Sequence, residues 1–179
     1  LCKKLSARYP GRRFDFIPCD LASLASVRAA AAAIRQRVPR IDVLINNAGA
    51  RFDTYAESVD GFELTFATNH LGHFLLTGLL LDRMLAASTP RVLVVSSRRH
   101  RQVDAVDGWL MPQREYDRWR AYDRSKLANT LFGFELARRL SGTAGVSNVV
   151  DPGIVASRFA RNNGLLAWAK HLVSSTVRR

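Results

Sequence analysis

Residues 41–49, IDVLINNAG, decide the fold of this 179-residue chain. The run IDVLI is short, apolar and rich in β-branched residues, which predicts a buried strand over 41–45. The small and polar residues NNAG that follow it predict a turn in which a flat ligand can approach the backbone closely. The same order returns at 91–97, RVLVVSS, where a second predicted buried strand ends in a serine pair. Such strand ends are where α/β enzymes place their chemistry.

Longer segments with helical periodicity separate the strands. Helices are predicted over 23–38, over most of 59–85 and over 118–140, and further strands over 13–19 and 146–150. Ser23 is the expected N-cap of the first helix, and Pro18 places the strand at 13–19 near an edge or a turn. This alternation predicts a single α/β domain over residues 1–179 with a parallel sheet.

Two stretches have less regular patterns. Residues 98–117 form the longest irregular segment, and loops of this length either carry function or are mobile. Residues 164–173 have the spacing of a short amphipathic helix. Such a helix either packs on the core or serves as a substrate lid or a membrane-surface contact.

Composition and charge restrict the class of protein. Hydrophobic residues make up 47% of the chain and charged residues 23%, as in ordinary soluble globular proteins. The net charge of +12 attracts polyanions, so nucleic acid and a phosphate-bearing cofactor are both candidate ligands. Because no nucleic-acid-reading motif accompanies the charge, no specific nucleic-acid partner is predicted.

The sequence also bears on location. The two cysteines, Cys2 and Cys19, form no disulfide framework and fit a reducing compartment. The most apolar run, residues 71–81, is too short to span a bilayer. We therefore predict a cytoplasmic protein with no transmembrane segment.

Tyr122 and Lys126 are the first candidate catalytic residues. Four residues apart on the predicted helix over 118–140, they lie on one face of it. A tyrosine phenol has a pKa of about 10 and is a poor base at neutral pH. A neighbouring ammonium stabilises the phenolate and lowers that pKa, which suits tyrosine to general acid/base catalysis. Taken alone, the spacing fits a solvated Tyr–Lys pair equally well.

Ser97 and Asn69 are further candidates, each with a plainer alternative. Ser97 follows the predicted strand at 91–95, where its hydroxyl either contacts a substrate oxygen or caps a turn. Asn69 lies within a predicted helix, where asparagine is unfavourable. Its side chain is either needed there, to hold water or to kink the backbone, or is simply exposed. The NNAG segment is either a ligand-lining loop or a plain turn.

These motifs occur together in an order typical of one enzyme family. NNAG after a strand, the asparagine of NHLGHF, the serine pair after the next strand and YxxxK resemble the short-chain dehydrogenases/reductases. Three longer segments are similar to the retinol-dehydrogenase-like branch: 19–24, 60–81 and 121–129. The resemblance covers about residues 16–161 and implies a Rossmann-like, doubly wound parallel sheet.

The resemblance implies a role for each motif residue. Tyr122 would be the general acid/base, and Lys126 would lower its pKa and hold the nicotinamide ribose. Ser97 would orient the substrate oxygen, and Asn69 would anchor a proton-relay water. With Tyr122 and Lys126, the residues lining the cofactor would be Asp20, Leu21, Asn47, Ala48, Gly49, Pro152 and Gly153. The implied reaction is hydride transfer between NAD(P)(H) and an apolar carbonyl or alcohol substrate, with NADP favoured over NAD.

The chain departs from the family pattern in its cofactor-binding segments. The TGxxxGxG turn that holds the pyrophosphate is not found in the sequence. We therefore expect a fragment with an incomplete Rossmann sheet, lacking the family's first two strands and its last, and with poor cofactor binding. The alternative to a working oxidoreductase is an inactive fragment or a binding or scaffold protein.

Smaller departures concern charge and assembly. Asp151 stands where this branch usually has histidine, and Arg98 and Arg99 replace small residues after the serines. These arginines are expected to narrow or charge the substrate entrance. His70 and His73 belong to the NHLGHF motif, and no metal site is predicted around them. A homo-oligomer formed through the two long helices is the assembly that the resemblance implies.

Overall fold

The computed structural model describes residues 2–104 and 108–153. Helices and strands alternate along this part of the chain, as predicted. In order they are α1 (Cys2–Arg8), α2 (Leu24–Arg37), β1 (Val43–Asn46), α3 (Leu64–Phe66), a π-helical turn (Ala67–Leu71), α4 (Gly72–Leu85), β2 (Arg91–Val95), α5 (Arg118–Arg139) and β3 (Val146–Val150). Two 3₁₀ turns, Arg98–Gln102 and Gln113–Glu115, lie between β2 and α5. The helix predicted over 164–173 falls outside the described residues.

The three strands form one parallel sheet in the order β1-β2-β3. Val43 lies opposite Arg91, which in turn lies opposite Val146. The strands therefore begin level with one another, and their carboxyl ends reach the same edge of the sheet. This confirms the strands predicted over 91–95 and 146–150 and the parallel, Rossmann-like architecture.

The predicted burial of the strand at 41–45 is wrong for one of its two faces. The strand forms at Val43–Asn46, and Val43 and Ile45 are 49% and 56% exposed. Val92 and Val94 of the central β2 are each 1% exposed. Alternate residues of a strand share a face, so Val43 and Ile45 lie together on the face of β1 that the described residues leave open. An apolar run predicts a strand but not the elements that cover it.

The strand predicted over 13–19 is also wrong. None of these residues is in a strand, and Phe16 is 74% exposed. A strand needs a hydrogen-bonded neighbour. Within the described part of the chain β1 pairs with β2 alone, so the 13–19 run has no ladder to join.

Local capping residues explain where the helices begin. Oγ of Ser23 accepts from the main-chain nitrogen of Ser26 at 3.2 Å, which confirms Ser23 as the N-cap of α2. The carboxylate of Glu63 accepts from the nitrogens of Thr65 and Phe66 at 2.7 and 2.8 Å. The helix predicted from residue 59 therefore begins only at Leu64.

The core lies between α4, α5 and the central strand. Its hydrophobic cluster is formed by the buried residues Met84, Val92, Val94, Leu136 and Leu140. Helix α5 approaches β3 closely at Gly133, where an added Cβ would lie 2.3 Å from Cγ2 of Val149. This packing holds the N-terminal half of α5, with Tyr122 and Lys126, near the carboxyl edge of the sheet.

Candidate active site

Tyr122 and Lys126 lie side by side at the end of β2. Both are buried, with exposed fractions of 9% and 3%. Nζ of Lys126 donates to the main-chain oxygen of Val95, the last residue of β2, at 3.0 Å. The same nitrogen lies 5.5 Å from the centroid of the Tyr122 ring. The pair is therefore not a solvated surface contact, which was the alternative left open by its spacing.

The two serines that follow β2 have different positions. Ser97 lies next to Tyr122, where its side chain lowers the pKa of the phenol, and its Oγ accepts from the main-chain nitrogen of Arg99 at 3.3 Å. Oγ of Ser96 instead donates to the main-chain oxygen of Lys126 at 2.9 Å and contacts Oγ1 of Thr130 at 2.8 Å. Ser97 thus caps a turn and faces the phenol at once, while Ser96 fastens α5 to the end of β2.

Asn69 is fully buried, and its side chain is fixed by three hydrogen bonds. Oδ1 accepts from the main-chain nitrogen of Ala50 at 2.8 Å, and Nδ2 donates to the main-chain oxygen of Ala50 at 2.9 Å. Nδ2 also donates to Oγ of Ser125 at 3.0 Å. Asn69 therefore links the loop after β1 to α5 through its side chain.

The backbone around Asn69 is distorted into the π-helical turn Ala67–Leu71. Nδ2 of Asn129 donates to the main-chain oxygen of Asn69 at 3.0 Å, and Nδ1 of His73 lies 3.0 Å from the same atom. Because a carbonyl oxygen only accepts, Nδ1 of His73 must carry the hydrogen. The π turn distorts the helix locally at Asn69, and π turns are frequent at functional sites.

The NNAG loop approaches Asn69 and Lys126 at its glycine, Gly49. A Cβ added to Gly49 would lie 3.4 Å from both Oδ1 of Asn69 and Nζ of Lys126. Asn47, Ala48 and Gly49 are exposed at the carboxyl end of β1. Gly49 has no side chain to separate its backbone from the ammonium of Lys126. The residues present therefore fit the nicotinamide ribose of a dinucleotide, which needs a donor and a flat, uncrowded approach.

The preceding residue, Asn46, serves the fold. Its Nδ2 donates to Oγ1 of Thr77 at 2.9 Å in the interior. Its Oδ1 is buried without a hydrogen-bond partner among the described residues.

Asp20 and Leu21 lie at the start of α4. A Cβ on Gly72 would lie 2.4 Å from the main-chain oxygen of Leu21, so the chain crosses directly over this glycine. Oδ1 of Asp20 accepts from the nitrogen of Ala22 at 2.9 Å, which holds the exposed carboxylate in a turn. Leu21 thus lies against Gly72, which follows Asn69 by three residues, less than one helical turn.

Pro152 and Gly153 follow β3 and are exposed. Gly153 has a φ of +70°, which favours glycine, and its nitrogen donates to Oδ1 of Asp151 at 3.0 Å. The Asp151 carboxylate also pairs with Nε of Arg98 at 3.1 Å. Because Arg98 directly follows Ser97, this ion pair links the segment after β3 to the one after β2.

Burial dominates the electrostatics of the pair. Desolvation raises the pKa of Tyr122 to about 12, opposed by the Ser97 hydrogen bond and by the positive charges of Arg99 and Arg51. Asp123 adds to the rise in the Tyr122 pKa through its negative charge. Desolvation also lowers the pKa of Lys126 to about 8. Burial therefore pushes both groups toward their neutral forms.

Sequence reasoning singled out Arg99 only as a charge at the substrate entrance, and it missed the other residues that surround the phenol. Nε and Nη2 of Arg99 donate to the two carboxylate oxygens of Asp123 at 2.5 and 2.6 Å. The guanidinium carbons of Arg51 and Arg99 lie 4.0 and 4.4 Å from the ring centroid of Trp119, and that ring contacts Tyr122 edge-on. The available signal was their sequence position, because each lies within three residues of a predicted site residue.

Comparison with known families agrees with this geometry. The family model described as short chain dehydrogenase matches residues 1–165 of the chain. The chain belongs to the short-chain dehydrogenase family.

Curated relatives of this short-chain dehydrogenase confirm the predicted branch. The chain is 49% identical over 143 residues to human retinol dehydrogenase 14, covering 80% of this chain and 43% of the relative. It is 42% identical over 159 residues to human retinol dehydrogenase 12, covering 89% of the chain and 50% of the relative. The chain thus spans about half the length of the curated relatives that it matches.

Solved structures share the fold. An uncharacterised protein from Mycobacterium paratuberculosis is 36% identical, with a TM-score of 0.67, covering 98% of this chain and 62% of that one. A Pseudomonas aeruginosa RhlG/NADP active-site complex is 30% identical, with a TM-score of 0.68, covering 93% of this chain and 62% of that one. The Rossmann-type architecture of the short-chain dehydrogenase is thereby confirmed.

Two histidines, His70 and His73, make hydrogen bonds in the interior. Nδ1 of His70 lies 3.0 Å from Oδ1 of Asn129, and Nδ1 of His73 donates to the carbonyl of Asn69. Burial lowers the pKa of both imidazoles. Across residues 2–104 and 108–153, no three His, Cys, Asp or Glu side chains gather in a way that would hold a metal ion.

Proposed function

We propose that this chain carries the catalytic centre of an NAD(P)-dependent oxidoreductase, with Tyr122 as the general acid/base. The observation that supports it is the buried position of Tyr122 at the end of β2, beside the ammonium of Lys126 and next to Ser97, whose side chain lowers the pKa of the phenol. A hydroxyl pair of this kind suits a substrate oxygen that gains or loses a proton.

Each side chain has a defined part in the proposed reduction. The cofactor, when bound, would supply the hydride that reduces the substrate carbonyl carbon. The Tyr122 hydroxyl gives its proton to the carbonyl oxygen, and the Ser97 hydroxyl donates a hydrogen bond that orients that oxygen. The resulting Tyr122 phenolate is stabilised by the positive charges near the ring. In the oxidation direction, the same groups act in reverse.

Lys126 is proposed to hold the cofactor ribose and to pass on the proton. With a pKa of about 8 the ammonium is protonated at neutral pH and remains close enough to its pKa to exchange. Oδ1 of Asn69 and Nζ of Lys126 both lie 3.4 Å from the point beside Gly49 where a Cβ would stand. The proposed relay water binds between these two atoms, at the lone pair of Oδ1 that Ala50 does not use.

The cofactor is proposed to run along the carboxyl edge of the sheet. Asn47, Ala48 and Gly49 would line its nicotinamide half, Pro152 and Gly153 would pass beneath the ring, and Asp20 and Leu21 would flank the adenine. We favour NADP over NAD, and the RhlG complex, which is named for NADP and is 30% identical, supports this choice.

The substrate is proposed to be an apolar alcohol or carbonyl compound, as the names of the retinol dehydrogenases suggest.

A second copy of the chain is the proposed partner, with no specific nucleic acid. The support is an apolar surface on α4 and α5, where Phe74, Leu131 and Phe134 are 55%, 47% and 63% exposed. A Phe134→Asp variant should lower the mass measured by light scattering. An unchanged mass would argue against an oligomer through this surface.

The proposed location is the cytoplasm. Cys2 and Cys19 are both free thiols, as a reducing compartment requires. In the part of the chain that the structure describes, no helix combines the length and apolar character needed to cross a membrane. Fluorescence microscopy of the tagged natural protein, with its own termini, tests the proposal.

Turnover by the natural protein, expressed from its own gene, tests the function. We expect NADP(H)-dependent oxidation or reduction of at least one member of a panel of apolar alcohols, aldehydes and ketones. Tyr122→Phe should abolish turnover while leaving cofactor binding, followed by nicotinamide fluorescence, nearly intact. Tyr55→Phe is the matched control, because it also removes a tyrosine hydroxyl, one that donates to the exposed carboxylate of Glu57.

Two results would count against the proposal. If the wild type turns over no compound of the panel with either cofactor, the binding or scaffold alternative is favoured. If Tyr122→Phe retains the turnover of Tyr55→Phe, the proton donor is another group.

A further inference from the structure

A charged cluster adjoins the proposed proton-transfer pair. Its centre is the ion pair of Arg99 and Asp123, in which two parallel N–H groups meet the two oxygens of one carboxylate at 2.5 and 2.6 Å. The Asp123 side chain is 6% exposed and that of Arg99 is 39% exposed. Two-point pairs of this kind fix orientation as well as distance.

The two partners of this ion pair sit next to the reacting groups along the chain. Arg99 is two residues after Ser97, within the 3₁₀ turn Arg98–Gln102, and its main-chain nitrogen donates to Oγ of Ser97. Asp123 directly follows Tyr122 on α5. The ion pair therefore joins the turn that carries one hydroxyl to the helix that carries the other.

Trp119 forms the third side of the cluster. Its ring lies one helical turn before Tyr122, with ring centroids 6.4 Å apart and planes at 82°. The Arg99 guanidinium lies over this ring, with its carbon 4.4 Å from the centroid. Stacking of this kind restricts the guanidinium plane. The Arg99 side chain is thus held on two sides, by a carboxylate and by an aromatic face.

The 3₁₀ turn has further contacts that hold Ser97. The main-chain oxygen of Ser97 accepts from the main-chain nitrogen of His100 at 3.0 Å, and Nδ1 of His100 lies 2.6 Å from the same oxygen. These bonds are internal to the turn. In the described residues, the Arg99–Asp123 ion pair and the Arg98–Asp151 ion pair are what connect the turn to other segments through charge.

We propose that Arg99 is a positioning residue for proton transfer, which acts by clamping the Ser97 turn to α5 through Asp123 and so sets the position of the Ser97 hydroxyl relative to the Tyr122 hydroxyl. This inference rests on the proposed function of Tyr122. It assigns Arg99 no contact with substrate. Asp123 is the anchor of the clamp, and the Trp119 ring restricts the orientation of the guanidinium plane.

The clamp and a simple charge effect predict different results. The charged groups facing the phenol are Arg51, Arg99, Asp123 and Lys126. If charge alone mattered, loss of Arg99 would raise the pKa of Tyr122 and loss of Asp123 would lower it, so the two variants would move catalysis in opposite directions. If the clamp sets geometry, both variants lower the rate, because either one releases the turn from the helix.

The experiment uses the natural protein with its cofactor bound and compares Arg99→Met, Arg99→Lys and Asp123→Asn. The matched control is Arg138→Met, which removes a two-point Arg–Glu pair at the exposed end of the same helix. We expect kcat to fall on the order of 10- to 100-fold in Arg99→Met, since a small misplacement of reacting groups has effects of this size. The cofactor dissociation constant should stay within about twofold of wild type.

The conservative variants separate position from charge. Arg99→Lys keeps the charge but offers a point donor instead of a planar fork. It should leave the pH dependence of kcat where it is in wild type and still lower kcat severalfold. Asp123→Asn should also lower kcat, although it removes a negative charge that disfavours the phenolate.

A second readout does not depend on turnover. In protein labelled with ¹³C at Cζ of tyrosine, the Tyr122 resonance, assigned by its loss in Tyr122→Phe, reports the environment of the phenol. Its shift at neutral pH should change in Arg99→Met and in Arg99→Lys, but not in Arg138→Met. If the enzyme turns over no substrate, the proposed function fails while this shift still tests the clamp.

The clamp would be overturned by either of two results. One is a kcat and a Tyr122 resonance in Arg99→Met that match those of Arg138→Met. The other is a faster Asp123→Asn, which would show that charge, not position, links this pair to the phenol. If Arg99→Met lowers the melting temperature too far to be studied, the comparison is made with Arg99→Lys, which preserves the charge.

Discussion

Removing the side chain of Asn69 should weaken the fold as well as the site. Asn69→Ala deletes three hydrogen bonds, two with the backbone of Ala50 at 2.8 and 2.9 Å and one with Oγ of Ser125 at 3.0 Å. A typical intramolecular hydrogen bond contributes about 1 kcal/mol net, so the expected loss of unfolding free energy is about 3 kcal/mol. The residue is 0% exposed, so bulk water has poor access to the partners left behind.

Urea-induced unfolding of the natural protein measures this loss. Asn69→Ala should lower the midpoint without changing the m-value, because the surface exposed on unfolding stays the same. Asn69→Asp should also be destabilised, since a carboxylate does not donate to Ala50 or Ser125. The control is Asn148→Ala, at an exposed position of β3, which should stay within about 0.5 kcal/mol of wild type.

The reasoning would be refuted by a small effect. If Asn69→Ala loses less than about 1 kcal/mol and matches Asn148→Ala, the three bonds contribute too little to hold the loop. The link between the loop after β1 and α5 would then have to come from elsewhere.

Two further predictions concern packing and titration. Gly133→Ala should cost about 1–3 kcal/mol of unfolding free energy, because its Cβ would lie 2.3 Å from Cγ2 of Val149. Gly78→Ala, where a Cβ meets nothing within 4 Å, should instead gain up to about 1 kcal/mol, and chemical denaturation compares them. Burial lowers the pKa of Lys126 from 10.5 to about 8, so the unfolded chain binds more protons between these values and stability should rise with pH across that window. Lys126→Met should lack this rise, which denaturation at pH 8 and pH 10 measures; an equal rise in both proteins would contradict the burial of the charge.

The elements closest to the site were the most predictable from sequence. The strands at 91–95 and 146–150 formed at the predicted residues, and α5 ends within one residue of its prediction. Val92 and Val94 of β2 face a core that the described chain itself provides, and β3 pairs with β2 along its whole length, so local pattern and tertiary contacts agree. The motif residues Ser97, Tyr122 and Lys126 then come together, because parallel strands end at one edge and α5 lies across it.

Other features depend on contacts that a local pattern does not contain. The run at 13–19 has the composition of a strand but joins no ladder in the described residues, and Phe16 stays 74% exposed. The helix predicted from residue 59 begins at Leu64 because Glu63 caps it, which periodicity does not reveal. In the same way, nothing in the sequence says that Arg99 meets Asp123, since their approach follows from the placement of α5 against β2.

Helix α5 shows why the site was recognisable by motif but not by its pattern of polarity. Tyr122, Lys126, Asn129 and Thr130 lie along one stripe of the helix and are all buried, although such a polar stripe predicts a solvent-facing surface. Burying these groups is unfavourable unless each finds a partner. Lys126 bonds Val95, Asn129 bonds the Asn69 carbonyl and Thr130 contacts Ser96. The bonds that compensate for burial are therefore the same bonds that place the candidate catalytic groups, so variants along this stripe should lose stability and site geometry together.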